Sequence, residues 1–318
     1  MAPSSSNVET VVRGPHLDGA QAEDRPNRFG FSDEGALAKE IGSKIPQGMT
    51  MSFLPSPGMP IEGLELAVAA YLFNPSAKQL DILAPNPHCL ANRESLRSLE
   101  PGKMLTRDVM ILVAAMLKHN STEQQHWFLP STFTEIATRR SPLPQRSLKS
   151  IAEDFTGKVN HVSKIFCPVL LDNHWFLTVV DVKHWKIVYL DSCRKKEMLA
   201  KRRREIVKLA AFMEELFDDD SWYTEKGLER PIVTRFEWIE LHPPQQGEDR
   251  NDSGMFVAQW MITYHPSGTH DVEMITHYSQ MRLAVDLLLL NHNPARENVI
   301  VEALEHWRSY ASAQQSKP

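Results

Sequence analysis

KIFCPVLLDNHWFLTVVDVKHWKIVYLD, residues 164–191, is the most strand-like stretch of the chain, and its reading decides the fold. Lys164 to Leu171 is mostly apolar and rich in strand formers. Asp172-Asn173 supplies a turn, Trp175 to Val182 a second strand, Lys183-His184-Trp185-Lys186 another turn, and Ile187 to Leu190 a third strand. The apolar runs are continuous rather than alternating. That marks central strands of an antiparallel or mixed sheet, covered on both faces. His174 starts one strand and Asp191 ends the next, with one hairpin between them. Antiparallel pairing brings such ends together, so the two side chains are predicted to lie within hydrogen-bond reach, with the carboxylate orienting the imidazole.

C-terminal to this stretch, Lys196 to Leu216 reads as a long helix. Ile206, Leu209, Ala210, Met213 and Leu216 turn inward, and Lys201-Arg202-Arg203-Arg204 turns outward. Ile232 to Leu241 reads as a further strand. Two prolines and a glycine then make Pro243 to Asp252 a loop. From Gly254 a helical period begins: Met255, Phe256, Gln259, Trp260 and Tyr264 recur, and Pro266 marks the end. Ser253 therefore sits at a loop-to-helix junction, at the positive end of a helix dipole. The plain alternative is that Ser253, or Asp252 before it, only caps the helix. Met281 to Leu290 and Val299 to Tyr310 are two more helices.

N-terminal to the strands, Ile61–Phe73, Arg93–Leu99, Val109–Leu117 and Ser131–Thr138 read as helices, and Gln79 to Leu83 as a short extended piece. Arg139 to Ser150, with two prolines and three arginines, reads as a solvent loop. Helices, then strands, then helices give α+β in one domain over residues 61–312. Residues 1–60 are expected to be a disordered tail and 313–318 a polar one.

At 318 residues and 42% hydrophobic, the chain suffices for one substantial core. A net charge of −5 offers no basic excess for general nucleic-acid binding. The three cysteines, Cys89, Cys167 and Cys193, are odd in number and far apart. That argues against a disulfide framework and fits the nucleus or cytoplasm. Without a C-x-x-C pair no structural zinc site is expected, and no cofactor is implied. No signal peptide is expected, and the apolar runs are too short for a bilayer, so no membrane partner is expected either.

Several blocks carry a resemblance: Asn173-His174-Trp175-Phe176-Leu177, Tyr189-Leu190-Asp191-Ser192, Pro244-Gln245-Gln246 and Asn251-Asp252-Ser253-Gly254. In this order they resemble the signature blocks of the SUMO and ubiquitin-like-protein proteases, cysteine peptidases of papain-like fold. Leu96-Arg97-Ser98-Leu99-Glu100-Pro101-Gly102, with Leu105 and Asp108-Val109 after it, resembles the family's N-terminal block. His126-Trp127-Phe128-Leu129-Pro130 and Val257-Ala258-Gln259-Trp260-Met261 resemble its plant branch. The resemblance implies His174 as general base, Asp191 as its orienting acid, and Gln246 as oxyanion-hole donor with Gln245 as the alternative. It implies Trp175 as the roof of a tunnel for the substrate's Gly-Gly tail, partly exposed beside a groove, with Gln245, Asp252 and Gly254 as further substrate-binding positions. The implied activity is cleavage after the C-terminal Gly-Gly of SUMO or a related modifier, by a monomer.

This chain departs from the family at Ser253, where the family has its cysteine. A thiol beside an imidazolium and a helix N-terminus ionises and attacks unaided; a hydroxyl must be deprotonated in the transition state. The sequence therefore predicts an inactive or nearly inactive protein, by natural loss or as an engineered trap. Three rivals stand beside it: a Ser-His-Asp hydrolase, a non-catalytic binder of a ubiquitin-like protein, and a decaying gene product. The basic run from Arg194 to Arg204 reads as a solvated helix face or a nuclear import signal.

Overall fold

The computed structural model describes residues 41, 44–61, 63–121, 125–139, 145–247, 251–263 and 276–315. Along the chain these form α1 (Leu64–Leu72), β1 (Ile82–Asn86), β2 (Cys89–Asn92), α2 (Arg93–Leu96), α3 (Arg107–Asn120), β3 (His126–Phe128), α4 (Ser131–Thr138) and α5 (Gln145–Phe155). There follow β4 (Lys164–Leu171), β5 (His174–Asp181), β6 (Lys186–Leu190), α6 (Lys196–Phe217), β7 (Glu237–Glu240), α7 (Ser253–Thr263), α8 (His277–Leu289) and α9 (Arg296–Gln315). The architecture is α+β, with helices flanking a mixed five-stranded sheet of order β3-β4-β5-β6-β7. β1 and β2 make a separate hairpin.

The centre of the sheet follows from the opening stretch. β4, β5 and β6 pair antiparallel, with Leu171 opposite His174 and Leu177 opposite Leu190. Their continuous apolar runs are buried on both faces, as two-sided coverage requires. β3 joins β4 and β7 joins β6 in parallel. Asp172 and Asn173 turn the chain with φ of 51° and 57°, in the left-handed region that short polar side chains tolerate. This two-residue loop fixes the register and sets His174 at the mouth of β5. α7 packs on β5 and α4 on β4, while α1 rests on α8 and α9.

Four expectations change. The segment 139–150, read as a solvent loop, contains the start of α5: Ile151 and Phe155 are buried, with Leu148 packed beside them at helical spacing. Residues 44–60, read as part of a tail, pack on the domain: Met49 and Phe53 are buried, and the Ser52 backbone N–H donates to the Phe73 carbonyl at 2.8 Å. The strand expected over 232–241 divides into a 3₁₀ turn at Val233–Arg235 and the shorter β7. α9 continues through 313–315, which were expected to be tail. The tail 1–40, loop residues 248–250, Tyr264 and Pro266 at the expected helix end, and residues 316–318 lie outside the described residues.

Candidate active site

His174 and Asp191 meet as the hairpin requires. Nε2 of His174 lies 2.7 Å from Oδ1 of Asp191, and Asp191 is wholly buried. The carboxylate takes three further donors. The backbone N–H of Cys193 donates to Oδ1 at 2.8 Å, and the Tyr189 hydroxyl and the Arg202 guanidinium both donate to Oδ2. An ionised carboxylate only accepts, so the imidazole carries its proton on Nε2 and a lone pair on Nδ1. Burial, then the charges of Arg202 and Lys195, push the His174 pKa down to about 4. The ring is therefore neutral at pH 7.

Ser253 is the first residue of α7 and is 2% exposed. Its Oγ accepts the backbone N–H of Trp175 at 3.2 Å, which ties it to the residue after His174. Asp252 is buried just before the helix, and its carbonyl accepts the Phe256 N–H at 3.0 Å, so its backbone occupies the cap position. Gly254 lets α7 approach closely. A Cβ there would stand 2.4 Å from Leu105 Cβ and 3.0 Å from Trp175 Cδ1.

Trp175 corrects an expectation. It is 0% exposed rather than partly open beside a groove. The ring lies against Leu105 and Gly254, and its Nε1–H donates to the Leu105 carbonyl at 2.9 Å. With its one polar atom satisfied internally, the indole gains from burial, as large aromatics usually do.

The two glutamines hold different positions. Gln245 is used structurally: Nε2 donates to the carbonyls of Asp191 and Pro243, both at 2.9 Å, and Oε1 accepts the Arg194 N–H at 2.9 Å. Gln246 is joined to Ser192, its N–H donating to the Ser192 carbonyl at 2.7 Å and its Oε1 accepting from Ser192 Oγ at 3.0 Å. Both glutamines thus fasten the loop before Ser253 to the turn after Asp191.

Arg202, expected to face solvent, is 4% exposed and turned inward, because the buried stripe of α6 extends one turn toward its N-terminus. Position 202 precedes Ile206 by four, on the line of Leu209 and Met213; that spacing was the available signal. Among the described residues no group of three or more His, Cys, Asp or Glu could hold a metal ion, and no helix is long and apolar enough to cross a membrane.

The α+β fold thus pairs His174 with the buried Asp191 and sets Ser253 at a helix N-terminus, joined through the Trp175 N–H to the residue after His174. A His–Asp pair and a hydroxyl at a helix start are the layout of hydrolases that work through a nucleophile. Comparison narrows this: the chain belongs to the Ulp1 protease family, whose C-terminal catalytic domain matches residues 103–288. Among its relatives is Arabidopsis thaliana ubiquitin-like-specific protease 1B, 24% identical over 275 residues, covering 83% of this chain and 75% of the relative. Arabidopsis thaliana ubiquitin-like-specific protease 1A is 27% identical over 110 residues, 32% of this chain and only 22% of that protein's length. The SUMO protease Ulp1 with its catalytic cysteine oxidised to a sulfinic acid superposes with a TM-score of 0.55 at 18% identity, covering 78% of this chain and 99% of that one. The C-terminal Ulp1 protease domain in complex with Smt3, the yeast ortholog of SUMO, gives the same score and identity over 73% and 98%.

Proposed function

We propose that this domain binds the C-terminal tail of SUMO or a related ubiquitin-like protein at the Ser253 site, and that its chemistry is reduced to little or none because a hydroxyl stands where the family has a thiol. His174 is the general base, Asp191 its orienting acid and Gln246 the oxyanion-side donor. The observation that carries this is the 2.7 Å His174–Asp191 contact, with Ser253 seated at the start of α7 against the neighbouring Trp175. Family membership and the Smt3 complex of a structural neighbour support the choice of partner.

The reason for weak chemistry is proton affinity. A thiol at position 253 would ionise against the imidazole and the helix N-terminus before attack. The serine hydroxyl keeps its proton until the transition state. Misplacement by under an ångström, in a site shaped for sulfur, costs on the order of a hundredfold. One observation favours a second reading: His174 is neutral with Nδ1 unprotonated, the state a serine hydrolase needs in its base.

A fluorogenic SUMO cleavage assay tests both readings. The chain as it stands is expected to show little or no turnover. Ser253→Cys is expected to create activity abolished by thiol alkylation, and Ser253→Ala to bind SUMO as the parent does. A folded but inert Ser253→Cys variant overturns the proposal. Full activity of the parent, lost in Ser253→Ala, establishes the serine hydrolase instead.

A further inference from the structure

The machinery described so far does not explain why α6 spends a guanidinium on the interior. Lys201 pairs with Asp172 at 2.6 Å near the surface, and Arg203 lies over the Trp238 ring at 5.1 Å. Arg202, between them, goes inward. Its Nη1 reaches the Asp191 carboxylate and donates to the Cys193 carbonyl at 2.9 Å. Its Nε is buried with no hydrogen-bond partner. Burying a guanidinium with an unpaired N–H is unfavourable, and a well-packed apolar residue would often serve stability better. The placement therefore points to a role at the carboxylate it contacts.

We propose that Arg202 is the positioning residue of this site: it clamps Asp191 and cancels its charge, so that His174 is presented as a neutral base with a fixed tautomer. This rests on the reading of His174 as base and Asp191 as its orienting acid. The geometry has two parts. Oδ2 is held by Arg202 and the Tyr189 hydroxyl, and Oδ1 by His174 and the Cys193 N–H, so the carboxylate cannot rotate away from the imidazole. A bare buried carboxylate beside an imidazole would also draw a second proton onto the ring. The guanidinium in contact with the same carboxylate removes that pull.

The groups acting on His174 come from each element around it: Asp191 and Tyr189 from the end of β6, Lys195 and Arg202 from α6 and its cap, and Ser253 from α7 through Trp175. Lys195 acts with Arg202 in the same direction, and burial of the ring adds to both.

The test is an NMR titration of the full chain labelled in its histidine rings, with His174 assigned by its loss in His174→Gln. In the parent, His174 should titrate below about pH 5 with the proton on Nε2. Arg202→Met keeps the aliphatic stem and removes the charge; it should raise the proton affinity of His174 about tenfold or more, roughly one pH unit. Arg202→Lys should restore most of the parent behaviour, and Tyr189→Phe, which removes a donor but no charge, should leave the titration in place. A folded Arg202→Met chain with unchanged His174 titration overturns the proposal. So does a parent chain whose His174 titrates near its ordinary value, a result that needs no variant to fold. The readout needs no substrate: an inert Ser253→Cys variant with the expected titrations would end the proposed peptidase chemistry and leave the role of Arg202 standing.

Discussion

Gly254 occupies a position that no other residue fits without displacement. An added methyl would press on the side-chain base of Leu105 and on the Trp175 ring. Gly254→Ala is therefore expected to destabilise the fold by about 1–3 kcal/mol through overpacking, seen as a lower Tm. His174 gives a second expectation. Its folded pKa, about 4, lies below the ordinary value of 6.5, so between those limits the unfolded chain binds a proton that the folded chain refuses. His292, held at about 4 chiefly by burial, acts in the same window. Stability contributed by these rings is full above pH 6.5 and is lost as pH falls toward 4, on the order of 3 kcal/mol for His174. Urea melts at several pH values measure it, and His174→Gln should flatten the slope. At this scale the meeting of His174 with Asp191 and the place of Ser253 at a helix start were legible, because strand ends across one hairpin and a loop-to-helix junction are local patterns. Arg202 was not, because a run of four basic residues looks solvated unless its phase against the apolar stripe is followed.

The element that places His174 is the β4–β5 hairpin. Its two turn residues both have positive φ, and the pairing of Leu171 with His174 depends on them. Asn173→Val puts a β-branched side chain in the left-handed region and is expected to cost roughly 1–2 kcal/mol. Asn173→Gly should be tolerated. Thermal melts of the two variants side by side check this, and the valine variant should also disturb the His174 ring signals. The hairpin was readable because strand period and turn chemistry are local. The parallel additions of β3 and β7 were not, since such short segments carry little pattern and their partners lie far along the chain. α5 was missed because the prolines and arginines before it mask a helical period that begins only at Leu148.

Over the whole molecule, the segment 44–61 extends the core beyond the region matched by the family, residues 103–288. Phe53 packs edge-on against Phe73 with ring centres 5.1 Å apart, and Ser52 Oγ donates to Glu100 Oε1 at 2.6 Å. Phe53→Ala is expected to cost about 3–5 kcal/mol, a clear fall in Tm by calorimetry. No period marks this segment, because its burial is set by distant surfaces rather than by its own spacing. The same long-range character governs the bond from the Trp175 indole to the Leu105 carbonyl, which spans 70 residues of sequence. That bond holds the indole closed over the start of α7, with Ser253 Oγ on the Trp175 N–H and Gly254 against the ring. Because the indole hydrogen is buried, its exchange with solvent is expected to be slow and to report local opening at this junction, which hydrogen-exchange NMR measures.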